Sequence, residues 1–155
     1  MSKNKGFSLT SAERYSLALY ELANDSNLLE KIENQSSSIL DLISKSKDFS
    51  NFVKDPTCSK ENLLKVINNI SESNKFENLL KNFLRFLIVK RRFFYIEQIL
   101  KSFIEICSKK RGELKAELKS AKKLSSDEIS KINEELSQNF SSKIKLNYKH
   151  DESLI

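Results

Sequence analysis

Apolar residues recur every third or fourth position through most of this chain, then switch to strict alternation near its C-terminal third. Phe93, Ile96, Leu100, Phe103, Ile104 and Cys107 follow the spacing that stacks side chains on one face of an α-helix. Beyond them, Leu114, Ala116 and Leu118 alternate with Lys115, Glu117 and Lys119, the two-residue repeat of a half-buried strand. Gly112 lies between the two patterns and marks a boundary between residues 8–111 and residues 112–155.

The helical part reads as six segments. Thr10 and Glu13 have capping-box spacing and predict a helix start; Tyr15, Ala18, Leu19, Leu22 and Ala23 cover its apolar face, and Asn24, Asp25, Ser26 and Asn27 end it. Leu29, Ile32, Ser36, Ile39, Leu40 and Ile43 carry a second helix, with Ser36 small enough to admit a close neighbour. Phe49, Phe52 and Val53 form a short third piece, stopped at Asp55-Pro56 because proline disfavours helical geometry in the residue before it. Ser59 caps a fourth helix striped by Leu63, Val66, Ile67 and Ile70, and residues 71–74 form the next turn. The fifth carries Phe76, Leu79, Leu80, Phe83, Leu84 and Leu87, with Phe86 and Ile88 outside that stripe, so it is apolar over more than one face and predicted to be central. Phe93 opens the sixth, which runs to Arg111. Connections this short pack six amphipathic helices into one bundle.

After the bundle, a strand over residues 114–120 is followed by a second capping box, Ser125 to Glu128, and a helix bearing Ile129, Ile132, Leu136 and Phe140. Ile144, Leu146 and Tyr148 then alternate with Lys143, Lys145, Asn147 and Lys149. The result is a β-α-β unit, too small for an independent sheet domain. The expected fold is mainly α: a six-helix bundle followed by a small, incomplete α+β domain that the chain leaves truncated.

Composition limits the chemistry. The single His150 has no nucleophile tied to it, Cys58 and Cys107 have no partner at metal-ligand spacing, and Gly6 and Gly112 are isolated, so no phosphate-cradling loop exists. No catalytic residues, metal or cofactor are expected. The longest apolar stretch, residues 83–89, contains Arg85 and falls well short of the roughly 20 residues a membrane span needs. No signal sequence is expected at the polar N-terminus, and the two cysteines read as free thiols of a reducing compartment.

Net charge is +6. The triplets Lys90, Arg91, Arg92 and Lys109, Lys110, Arg111 suggest phosphate contacts, yet they flank a helix about 24 Å long, more than the Debye length of about 8 Å at physiological salt. Each also suits a helix C-terminus, where cations complement the exposed carbonyls.

Four segments, in order, carry a resemblance. These are Tyr15-Ser16-Leu17-Ala18-Leu19-Tyr20-Glu21-Leu22-Ala23; Phe52-Val53-Lys54-Asp55-Pro56; Asn82-Phe83-Leu84-Arg85-Phe86-Leu87 on to Ile99; and Ser120-Ala121, Leu124-Ser125, Lys143-Ile144-Lys145-Leu146 with Asp151-Glu152-Ser153-Leu154-Ile155. Together they make the chain resemble, from residue 12 to residue 155, the delta subunit of F-type ATP synthases, equivalent to the mitochondrial oligomycin-sensitivity-conferring protein. Ser16 stands where the family commonly has Ala, and Arg91 and Glu97 stand where small residues and Pro are commoner.

The resemblance implies a non-catalytic peripheral-stalk subunit in proton-driven ATP synthesis. It implies that the bundle receives the N-terminal helix of an alpha subunit, that the C-terminal domain holds the b subunits, and that the chain sits on the cytoplasmic face of the inner (cell) membrane only through the complex. A groove for that helix is expected at Tyr15, Ala18, Leu19 and Leu22 of the first helix and Leu79, Leu80, Phe83 and Leu87 of the fifth. The same positions equally suit a bundle interior. A helical RNA-binding or antitermination-type module is the alternative, and no nucleic acid is expected on the stalk reading.

Overall fold

Side-chain caps and left-handed turns set the ends of several of these helices. The computed structural model describes residues 2–154, with side chains from Ser11 onward. Six helices fill the N-terminal part: α1 (Ser2–Asp25), α2 (Leu29–Lys45), α3 (Lys47–Lys54), α4 (Lys60–Ser73), α5 (Asn78–Val89) and α6 (Ile96–Lys110). Strand β1 (Leu114–Ser120), helix α7 (Ser126–Phe140) and strand β2 (Ile144–His150) follow. The fold is mainly α, a six-helix bundle followed by a small α+β unit.

Ser59 accepts from the backbone N–H of Asn62 at the start of α4, as its position predicts. Ser125 and Glu128 make both bonds of the capping box at α7. The Asp55 carboxylate accepts from the N–H and hydroxyl of Thr57, at 2.8 and 2.6 Å, closing the turn around Pro56 that ends α3. These bonds, the hydroxyl's above all, hold the Asp55 carboxyl below the usual carboxylate range.

The start of α1 differs from the sequence reading. The helix begins at Ser2, so Thr10 is interior to it rather than at its cap; the Thr10 side chain lies outside the described residues. A capping signal permits a helix start without enforcing one, and no proline interrupts residues 2–10. Two smaller differences follow from local geometry. The fourth helix continues through Ser73, and Phe93 opens a 3-10 turn, Phe93–Tyr95, before α6 begins at Ile96.

Four helices end in one way despite the scarcity of glycine. Asn27, Lys75 and Arg91 take positive φ of 55°, 50° and 55°, and Gly112 takes 70°. The following residue then donates back across the turn: Leu28 to Ala23, Phe76 to Ser71, Arg92 to Leu87 and Glu113 to Ser108. With the accompanying bonds from Asn27, Lys75, Arg91 and Gly112 to Asn24, Glu72, Ile88 and Lys109, each is a Schellman motif.

By its internal contacts the chain divides between Cys107 and Ser108, inside the last turns of α6 rather than at Gly112. The first unit holds a continuous core in which Leu19, Ile32, Leu80, Leu84, Leu87, Ile99, Leu100 and Phe103 are fully buried. In the second unit β1 and β2 pair in parallel, from Leu114 opposite Ile144 to Ser120 opposite His150. Ile144 is its one buried hydrophobic among the described residues, and α7 has none, with Phe140 60% exposed. Two strands and one helix have too little apolar surface to bury more. Tyr148 secures the connection instead: its hydroxyl accepts from Leu124 N–H at 3.0 Å and donates to the Lys122 carbonyl at 3.2 Å.

Candidate partner-binding groove

Helix α5 is apolar on two faces, and the two faces do different work. Leu80, Leu84, Leu87 and Ile88 point into the core, whereas Leu79 and Phe86 follow a neighbouring stripe with Phe83, itself buried, at its base. Helix α1 divides in the same way. Ala12, Ser16, Leu19 and Ala23 are buried at spacings of four, three and four, while Tyr15, Ala18 and Leu22 run alongside them at the surface. The two outer stripes face each other across a groove of about 480 Å³ lined by Tyr15, Ala18, Leu22, Leu79, Asn82, Phe83 and Phe86.

Leu22 is 52% exposed and Phe86 45% exposed, so large apolar side chains stand open to solvent there. The Tyr15 and Phe86 rings meet edge to face at 6.1 Å and join α1 to α5 at the surface. Phe86 also lies under the Lys90 ammonium, 5.8 Å from the ring centre, which places a cation at the rim. Asn82 is the one amide in an otherwise apolar and aromatic lining.

Of the positions expected from sequence, Tyr15, Ala18, Leu22, Leu79 and Phe83 come together at the groove. Leu19, Leu80 and Leu87 do not. Each is fully buried in the bundle core, because a helix at 3.6 residues per turn carries positions one residue along, such as Leu19 beside Ala18, onto a different face. Asn82 and Phe86 were not expected there. The signal for Phe86 was present, since it continues the spacing of Leu79 and Phe83 by a further three residues, whereas Asn82 is polar and carried none.

Among the described residues, no helix is long and apolar enough to cross a membrane. His150, the single histidine, is exposed at the end of β2 with Nε2 3.1 Å from the Ala121 carbonyl oxygen.

Residues 12–155 match the family model for the ATP synthase delta (OSCP) subunit. The chain belongs to that family. It is 64% identical to ATP synthase subunit delta of Pelagibacter ubique over its full length, covering 84% of that protein. It is 31% identical to the subunit of Fuscovulum blasticum and 34% identical to that of Clostridium perfringens, over 93% and 92% of this chain and 77% and 79% of those proteins. The fold is also that of a chain in the cryo-EM structure of the Toxoplasma gondii mitochondrial ATP synthase hexamer, with a TM-score of 0.78 and 24% identity over 92% of this chain and 79% of that one. These relationships do not favour the RNA-binding alternative.

Proposed function

We propose that this delta-family chain is a non-catalytic linker of the peripheral stalk, joining the catalytic head of an ATP synthase to its membrane sector. On this reading the groove between α1 and α5 takes the amphipathic N-terminal helix of an alpha subunit. The C-terminal unit holds the b subunits, and the chain reaches the cytoplasmic face of the membrane only through the complex.

The groove carries the reading. Its two walls repeat at three- and four-residue intervals, Tyr15, Ala18 and Leu22 against Leu79, Phe83 and Phe86, which is the spacing that interdigitates with the apolar face of a third helix. Apolar anchors suit the load. A joint that resists rotation needs a dissociation constant of about nanomolar or below, roughly −12 kcal/mol, and buried aromatic and aliphatic anchors supply most such energy while rim charges add specificity.

Calorimetric titration of the full chain with a synthetic alpha-subunit N-terminal helix from the same organism tests this. Ala18→Arg fills the groove from an exposed position, so the fold is retained while affinity falls on the order of 100-fold. Failure of the peptide to bind, or equal binding by the Ala18→Arg protein, overturns the proposal.

A further inference from the structure

We propose that the solvent face of the C-terminal sheet is a docking surface for an acidic α-helix whose carboxylates sit about two turns apart. The register of β1 and β2 sets Lys115 beside Lys145 and Lys119 beside Lys149, with Glu117 beside Asn147 between them. Paired positions in a sheet lie about 4.8 Å apart with side chains on a common face, so two lysine rungs stand in line, with the Glu113 carboxylate near enough to Lys145 for its pKa to be lowered by it. All four lysines are exposed. The opposite face is the half-buried one, carrying Ala116, Leu118, Leu146 and Tyr148.

Like charges at neighbouring strand positions oppose sheet formation, and this small sheet has little apolar burial to offset that. A negatively charged partner reverses the sign of the effect. The spacing defines that partner further. Four residues along a strand separate the rungs by about 13 Å; two helical turns, seven residues at 1.5 Å each, set side chains about 10.5 Å apart on one face, a difference that long lysine and glutamate side chains span. The middle row presents a carboxylate, Glu117, and an amide, Asn147. A uniformly negative polymer or lipid surface would meet Glu117 unfavourably, whereas a helix with acidic residues at both ends of the contact and a neutral or basic residue between them fits all three rows.

This inference specifies how the C-terminal unit meets its stalk partner and rests on that part of the proposed function. It involves no groove residue, so failure here leaves the α1–α5 proposal standing, and the reverse.

The probe is a labelled alanine-rich helix bearing two pairs of glutamates about two turns apart with a lysine between them, titrated by anisotropy against the full chain at low salt. A peptide of the same composition in shuffled order, phosphatidylglycerol vesicles and a single-stranded oligonucleotide are the comparators. The patterned helix is expected to bind most tightly. Lys119→Glu and, separately, Lys145→Glu are expected to weaken it at least about tenfold, while Lys65→Glu, an equal charge change on exposed α4, leaves it within about twofold. A second readout is independent of any ligand: hydrogen exchange of β1 and β2 amides slows in Lys119→Glu, because a carboxylate then faces Lys149. No binding by the patterned helix, equal binding by any comparator, unchanged binding by both sheet variants, or faster exchange in Lys119→Glu overturns the proposal.

Discussion

The hydroxyl of Ser16 lies 2.8 Å from the carbonyl oxygen of Ile99 and 2.7 Å from that of Ala12, so one buried side chain ties α1 to α6. A serine in a helix interior commonly bonds to the carbonyl one turn back, and here its single proton is shared with the neighbouring helix. Both carbonyls belong to helix interiors and have backbone donors of their own. Ser16→Ala is therefore expected to cost no more than about 1 kcal/mol. Ser16→Leu forces extra volume into a closed contact and costs about 1–3 kcal/mol more. Urea unfolding midpoints separate the two.

Lys75 and Arg91 hold left-handed backbone geometry at the ends of α4 and α5, a conformation that disfavours any side chain with a Cβ. Both are exposed. Lys75→Gly and Arg91→Gly should each stabilise the bundle by about 1 kcal/mol and raise the thermal midpoint by several degrees, read by calorimetric unfolding.

Glu97 links α3 to α6. Its carboxylate accepts from Lys101 at 2.7 Å and lies 3.4 Å from Lys54. The Lys101 hydrogen bond chiefly lowers its pKa in the folded state; partial burial opposes this, and Lys54 adds to the lowering. A depressed folded-state pKa means that the contribution is present above the ordinary glutamate value of 4.5 and lost as pH falls through the lower folded value. Glu97→Gln should cost about half a kcal/mol at pH 7 and nothing once the carboxylate is protonated in the wild type. Stability curves of the two proteins are expected to converge on acidification.

Groove and core positions should separate by variant. Leu22→Ala and Phe86→Ala remove half-exposed side chains and are expected to cost less than about 1 kcal/mol of stability while weakening alpha-helix binding at least about tenfold. Leu80→Ala and Leu87→Ala open cavities in a closed core and cost about 2–5 kcal/mol. Denaturant unfolding and peptide titration on the same four proteins distinguish the sets.

Periodicity made the element types legible, because helix and strand repeats differ and β1 and β2 follow the alternating run residue by residue. Local bonding made several ends legible, as at Ser59, Ser125 and Asp55-Pro56. The choice between the two apolar stripes of α1 and α5 was not legible. Ala18 and Leu19 are both apolar and adjacent, and only the positions of the other helices decide that Leu19 is enclosed while Ala18 borders the groove. Ser16 was unreadable for the same reason: a polar residue predicts solvent until a second helix brings a carbonyl within reach. The left-handed ends at Lys75 and Arg91 carry no glycine signal and emerge only from the backbone.

A backbone amide map of the full chain by NMR, recorded with and without the alpha-subunit N-terminal helix, decides whether the α1–α5 groove receives that helix. Occupancy of the groove is expected to concentrate shifts on Tyr15, Ala18, Leu22, Leu79, Asn82, Phe83 and Phe86, with an intermolecular nuclear Overhauser contact to the Phe86 ring. Saturating peptide that leaves these amides unmoved, or shifts confined to other helices, contradicts it.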